Sequence, residues 1–402
     1  MMRERRTDMG MTRLDEIRRC LRERQWDGWL VWDFRGNNPV LSQLLPGRRH
    51  LTRRVVLWVP AQGQPQLIVS RIDAPQFRAG GWSSNEYFSD EELDACLRRV
   101  LRGVSRVAME YVPRGELPVV SIVDAGSVER VRALGVEVES SADLVQLAAA
   151  TWSEEARAGH ERSSRLVARI KDEAFARVAE ALQSGKPTSE CAVAEFIRAR
   201  FMEEGLESSD GPIVAVNGHA GDPHFSPDRT RDTAIGRGDW LLIDLWARVP
   251  GEQQVFSDIT WVAIVGASAT SEQQRAFDAV RSARDAALRL ARQRWRDGAP
   301  VYGWELDESA RSELVHAGYA EAIRHRTGHS LSPGANVHGV GMNLDGVETR
   351  DTRSMIANTG FTIEPGVYFP HFGVRLEINV HVDPARGPVV TSCVQDQIVR
   401  LG

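Results

Sequence analysis

Leu14, Ile17 and Leu21 recur at helical spacing among arginines and acids, which predicts an amphipathic helix. The apolar run Trp29–Trp32 that follows is the pattern of a buried strand. Further short apolar runs at Val55–Val59, Gln66–Val69 and Val107–Met109 alternate with a helical stretch around Glu91–Val100. Together they predict a mixed α/β domain over residues 1–148. The pattern changes near Ala148. Thr151-Trp152-Ser153-Glu154 has the spacing of a capping box, where hydroxyl and carboxylate satisfy the first free N–H groups of a helix, and a helical pattern runs on to about Leu182. Thr270-Ser271-Glu272-Gln273 repeats the signal before a second helical stretch to about Arg294. Strand-like segments occupy Trp240–Ala247, Ser257–Val265, Phe361–Tyr368 and Val374–Val382. Residues 149–402 are therefore expected to form an α+β domain of helices and antiparallel hairpins.

Two of those hairpins each carry a pair of carboxylates. If the first is symmetric about Gly251, Asp244 and Asp258 stand directly opposite each other. Directly opposed residues hold their Cβ atoms roughly 4.5–5.5 Å apart, where like charges repel, and the apolar strands add desolvation. In the second, the midpoint between Glu364 and Glu377 falls between Pro370 and His371, so these two are opposed as well. Val374, Leu376, Ile378 and Val380 alternate with Arg375, Glu377, Asn379 and His381, which gives one core face and one face for chemistry. A single strand carboxylate is most often a solvated position. Two such pairs, with a histidine, match a site for two divalent cations about 3.5–4 Å apart, whose charge cancels the repulsion.

The segment from His325 to His338 holds His325, His329 and His338, spaced by Gly328 and Gly334 and followed by Gly339 and Gly341, a flexible, backbone-exposing context rather than a helical core face. His224 lies upstream, shortly before the first carboxylate strand.

Composition narrows the function classes. The 50 Lys+Arg against 55 Asp+Glu, a net charge of −5, provide no basic face for nucleic acid or acidic lipid. Cys20, Cys96, Cys191 and Cys393 are widely spaced without a C-x-x-C, which disfavours a disulfide framework and a thiolate zinc site. With no leader-like apolar region and no run of 18 apolar residues, a soluble, cytoplasmic protein without membrane or nucleic-acid partners is expected.

The order Asp, Asp, His, Glu, Glu in DLWA, SDIT, TGHS, TIEPGVY and RLEINV resembles the pita-bread metallopeptidases, the superfamily of methionine aminopeptidase, prolidase, aminopeptidase P and creatinase, over roughly residues 150–402. The opening RLDEIRRCLRERQWDGWLV is similar to a creatinase-type N-terminal domain. The resemblance implies a pita-bread catalytic domain at 149–402 preceded by a smaller creatinase-type α/β domain at 1–148. It further implies that Asp258 and Glu377 bridge two metals, that Asp244 completes one shell, and that His329 and Glu364 complete the other. A metal-bridging hydroxide would attack the scissile carbonyl, with Glu364 handling its proton. His224, His325 and His338 match histidines that line the substrate pocket, with catalytic roles for His224 and His338 and substrate binding for His325. Arg375 would support a ligand carboxylate, and Arg350, counted back from Glu364, would hold the free carboxylate of a dipeptide.

This resemblance leads to cleavage of the bond before proline, as an Xaa-Pro aminopeptidase or dipeptidase acting on a peptide or small amide. The alternatives are a creatinase-like or other specialised C–N or amide hydrolase, and a non-enzymatic binding module. Creatinase lacks the metal ligands, whereas all five are here, which argues against its metal-free chemistry. Manganese is the expected ion, with cobalt or zinc as alternatives among metals suited to oxygen and imidazole. Homodimerisation is implied in the same way. The Asp–Asp hairpin and the loop from His329 to His338, with SPGAN inserted, are longer than in typical members, and Trp261 replaces a common polar residue, which would make the rear of the pocket bulkier.

Overall fold

The structure is a computed structural model and describes residues 2–45, 47, 49–80, 83–266 and 268–402. The chain divides into two compact units, Met1–Ala149 and Ala150–Gly402. The first holds a mixed sheet of β1 (Gly28–Phe34), β2 (Arg54–Pro60), β3 (Gln66–Ser70), β4 (Ser83–Tyr87), β5 (Arg106–Met109) and β6 (Glu137–Ser140), in the order β4-β3-β2-β1-β5-β6. Its helices are α1 (Met2–Glu23), α2 (Pro39–Leu44), α3 (Asp90–Val100), α4 (Ala125–Arg132) and α5 (Ala142–Val145). Strand β1 lies centrally, antiparallel to β2 and parallel to β5, which explains its unbroken apolar run. Ile17 and Leu21 of α1 are fully buried, and Leu93 and Leu97 of α3 pack with Leu30, Val56, Ile68 and Val107 of the sheet.

The second unit contains β7 (Thr188–Ser189), β8 (Ile213–Val216), β9 (Ala234–Ile235), β10 (Trp240–Ala247), β11 (Ser257–Val265), β12 (Ser330–Leu331), β13 (Gly360–Ile363), β14 (Gly366–Phe369), β15 (Phe372–Arg375), β16 (Ile378–Asp383), β17 (Gly387–Val390) and β18 (Val399–Leu401). They form sheets ordered β18-β11-β10-β8 and β12-β13-β16-β17, with the pairs β14-β15 and β7-β9. Among the described residues four α-helices accompany them: α6 (Glu154–Ser184), α7 (Glu190–Glu203), α8 (Ser271–Arg296) and α9 (Gly303–His316). Val167, Ile170, Ala174 and Val178 form the apolar stripe of α6 and meet Ile243, Leu245, Ile259 and Ala263 on one face of β10–β11. The opposite face, with Leu242 and Val262, shares a core with α8, α9, Ile363, Val374, Leu376, Ile378 and Val380.

Three expectations are revised. The helix after residue 150 is capped by Ser153, whose side chain accepts from the Ala156 N–H at 3.0 Å, rather than by Thr151. The capping box at Thr270 and Gln273 is present. The long strands expected over Phe361–Tyr368 and Val374–Val382 are each broken in two. Their register continues across the break: Ile363 pairs with Ile378 and Gly366 with Arg375, which sets Glu364 against Glu377 in the gap. There the ladder forks, because the Glu364 N–H donates to Thr327 O at 2.7 Å and the Glu377 N–H to Thr260 O at 3.3 Å.

The first hairpin is also offset from the expected register. Asp244 pairs with Thr260, and Asp258 pairs with Trp246. The connection is not a symmetric turn about Gly251, because Arg248 leaves the ladder to exchange backbone hydrogen bonds with Glu207. A shift of two preserves the face of every side chain, so both aspartates still point the same way.

Candidate functional site

Asp244 comes from β10 and Asp258 from β11, His329 immediately precedes β12, and Glu364 and Glu377 occupy the fork of the second hairpin. Asp258, His329 and Glu377 are buried and offer ligand atoms that lie within 4.8 Å of one another. His329 Nε2 is 3.4 Å from Asp258 Oδ2 and 3.4 Å from Glu364 Oε1. Its Nδ1 sits 3.1 Å from Ser330 O, so a proton there leaves the Nε2 lone pair facing the carboxylates. Arg375 joins the remaining member: its guanidinium donates to Asp244 Oδ2 and, at 3.0 Å, to Thr260 Oγ1. The Thr260 hydroxyl in turn donates to Glu377 Oε2 at 2.9 Å.

One cation does not balance this set. Burial pushes the Asp244 carboxyl up to about 7 against the pull of Arg375. It pushes Asp258 and Glu377 well above the usual carboxylate range, with neighbouring carboxylates adding to the effect. Burial also holds His329 below its usual value, which favours neutral imidazole. Among the described residues, Asp244 Oδ1, Asp258 Oδ1 and Glu377 Oε1 are buried with no hydrogen-bond partner. Buried polar atoms are almost always satisfied, and orphaned carboxylate oxygens beside imidazole fit hard or borderline divalent cations. Asp244, Asp258, His329, Glu364 and Glu377 could together hold such ions.

The other histidines surround this cluster. The His338 and His329 rings are 4.0 Å apart between centroids. His325 Nε2 lies 2.6 Å from the Tyr368 hydroxyl, which also accepts from Arg375 at 3.1 Å. His224 is exposed, and its loop is tied to the cluster by an Arg375 contact to Pro223 O at 3.4 Å. Arg350 is not drawn in: it is exposed, and its guanidinium lies over the Trp304 ring, 4.3 Å from the centroid. Neither Glu348 nor Asp351 pairs with it among the described residues. They engage Arg326 and Arg353 instead.

The glycines around the histidines serve close packing more than flexibility. A Cβ at Gly328 would lie 2.2 Å from Thr362 O. Trp261 points away from the carboxylates, to the α6 face of β11, where the Lys171 ammonium sits 3.3 Å from its ring centroid. It does not make the pocket bulkier. The two longer loops meet each other, since the buried Arg248 side chain donates to Gly334 O and Gln254 O and pairs with Glu207. Thr260, Thr362 and Tyr368 were not anticipated from the sequence. Each lies two or four residues from a carboxylate on the same strand segment, and that period was the available signal.

Residues 162–384 match the metallopeptidase family M24. The probable dipeptidase PepE of Mycobacterium bovis is 30% identical over 230 residues, 57% of this chain and 56% of that protein. The Xaa-Pro dipeptidase of Pyrococcus horikoshii is 30% identical over 210 residues, 52% of this chain and 54% of its own length. The chain thus spans about half the length of the curated relatives it matches. The crystal structure of dipeptidase PepE from Mycobacterium ulcerans superposes with a TM-score of 0.75 at 21% identity, covering 98% of each chain.

Proposed function

The chain belongs to metallopeptidase family M24, and on that premise we propose that it is a dinuclear-metal hydrolase cleaving the bond before proline, with Xaa-Pro dipeptides as the preferred substrates. The observation that carries the reading is the buried cluster of Asp258, His329 and Glu377, with orphaned oxygens on Asp244, Asp258 and Glu377. The names of the relatives, a probable dipeptidase and an Xaa-Pro dipeptidase, support the dipeptide preference.

In this reading Asp244, Asp258, His329, Glu364 and Glu377 would hold the ions, with Asp258 and Glu377 the candidates to serve both, Asp244 one, and His329 with Glu364 the other. Divalent ions held there, manganese in our assignment, supply Lewis acidity and lower the pKa of water toward about 7. Glu364 is the proton carrier, receiving a proton during attack and returning it to the leaving proline nitrogen. Its Oε1 accepts from Thr362 Oγ1 at 3.0 Å, which orients the carboxylate. His224, His325 and His338 bind and orient the substrate, and Tyr368 holds His325 against Arg375. Cytoplasmic placement, homodimerisation and a creatinase-type N-terminal domain are part of the same proposal. Among the described residues no helix is long and apolar enough to cross a membrane.

The test is hydrolysis of Ala-Pro, Ala-Pro-Ala and Ala-Ala with and without a chelator. Chelator-sensitive cleavage with Ala-Pro fastest supports the reading. Chelator-resistant cleavage, or no discrimination for proline, contradicts it.

A further inference from the structure

Asn379 lies two residues beyond Glu377 on the same face of its strand and is fully buried. Its side chain crosses to the neighbouring sheet and engages one residue of β11 twice. Oδ1 accepts from the Asp258 backbone N–H at 3.0 Å, and Nδ2 donates to the Asp258 backbone carbonyl. Oδ1 also accepts from Ser257 Oγ at 3.2 Å. A primary amide thus does here what a paired strand does elsewhere, at the one point where β11 must present a carboxylate to groups on the other sheet.

Directly opposite Asn379 on β13 stands Thr362. Its Oγ1 accepts from the His329 N–H at 3.0 Å and donates to Glu364 Oε1 at 3.0 Å. One cross-strand pair therefore holds Asp258 on one side and His329 with Glu364 on the other. Asn379 is itself anchored, its N–H donating to Ser392 Oγ and its carbonyl accepting from the Thr391 N–H, both at 2.9 Å.

We propose that Asn379 is a positioning residue that fixes the Asp258 carboxylate for divalent-metal binding through the Asp258 peptide. The inference rests on the metal-site reading above. The chain supplies a matched control. Gln395, equally buried, clamps the backbone of Val262 in the same way, accepting from its N–H at 2.9 Å and donating to its carbonyl at 2.7 Å. Val262 lies four residues along the same strand and faces the core, where it binds nothing. Both clamps stabilise β11, and only one holds a candidate ligand.

The experiment is calorimetric titration of metal-free protein with divalent manganese, alongside thermal unfolding of the same samples. Asn379→Ala should raise the manganese Kd by the roughly 10- to 100-fold typical of losing a group that orients a ligand, while Gln395→Ala stays within about two-fold. Both variants should lower the metal-free Tm. Should Asn379→Ala fail to fold, Asn379→Asp keeps the shape but sets an oxygen against the Asp258 carbonyl, and it should weaken binding by about ten-fold or more. Parental affinity in the Asn379 variants, or an equal loss in Gln395→Ala, overturns the proposal. A parent protein that binds no manganese overturns the metal-site reading beneath it.

Discussion

Asp244 and Asp258 share one face of the β10–β11 hairpin but stand diagonally, with Thr260 opposite Asp244 and Trp246 opposite Asp258. Diagonal neighbours are separated by roughly 7–8 Å, which relieves the repulsion of direct opposition. That offset lets Arg375 bind Asp244 and Thr260 together. The pair Asp258 and Glu377, by contrast, has no arginine hydrogen bond among the described residues, and the charge deficit concentrates there.

A pH-dependent stability follows for the metal-free protein. Burial raises the Asp258 pKa in the folded state, so the native chain binds more protons than the unfolded one from about pH 4 upward, and this residue's contribution to stability falls as pH rises. Asp258→Asn removes that dependence. In metal-free samples the Tm of the variant minus that of the parent should grow from pH 4 to pH 7. A difference that stays constant over that range counts against the buried charge.

Glu364→Gln should retain the folded structure by circular dichroism and lose at least about 10²-fold in kcat, the usual cost of removing a general acid–base. An unchanged kcat would remove Glu364 from proton transfer.

How far the sequence foresaw this site depends on what set each register. The second hairpin was legible because a two-residue Pro370-His371 connection leaves a single register, and alternation along 374–381 separates core from chemistry. The first was misplaced by two residues, because the connection is organised by Arg248 and Glu207, a contact across 41 positions that periodicity does not encode. The capping residue shifted for a local reason, since Ser153 and Thr151 both offer a hydroxyl and only Ser153 directly precedes the helix. Tyr368 and Asn379 acquire meaning only once separate strands meet. Reading glycines as flexible missed that Gly328 is needed for the approach of Thr362.

Tyr368→Phe tests one such residue. Deleting the hydroxyl leaves His325 Nε2 and an Arg375 N–H without this buried partner, which should cost about 1–3 kcal/mol by denaturant unfolding. A loss near zero would mean that both groups find other partners.

Arg350, expected to hold the substrate carboxylate, is exposed and stacks on Trp304 in this structure. Exposed cation–π contacts contribute about 0.5–1 kcal/mol, so Arg350→Ala should be mild in stability and leave KM for Ala-Pro within about two-fold. A ten-fold rise in KM for Ala-Pro alone would restore the substrate role.

If the buried carboxylates and His329 hold two divalent ions as proposed, the metal stoichiometry of the protein will show it. Titration of metal-free protein with manganese should give about two ions per chain in the parent and fewer than one in Asp258→Asn, the result expected if Asp258 serves both ions as proposed. One ion or none in the parent, or two retained in Asp258→Asn, would contradict the account.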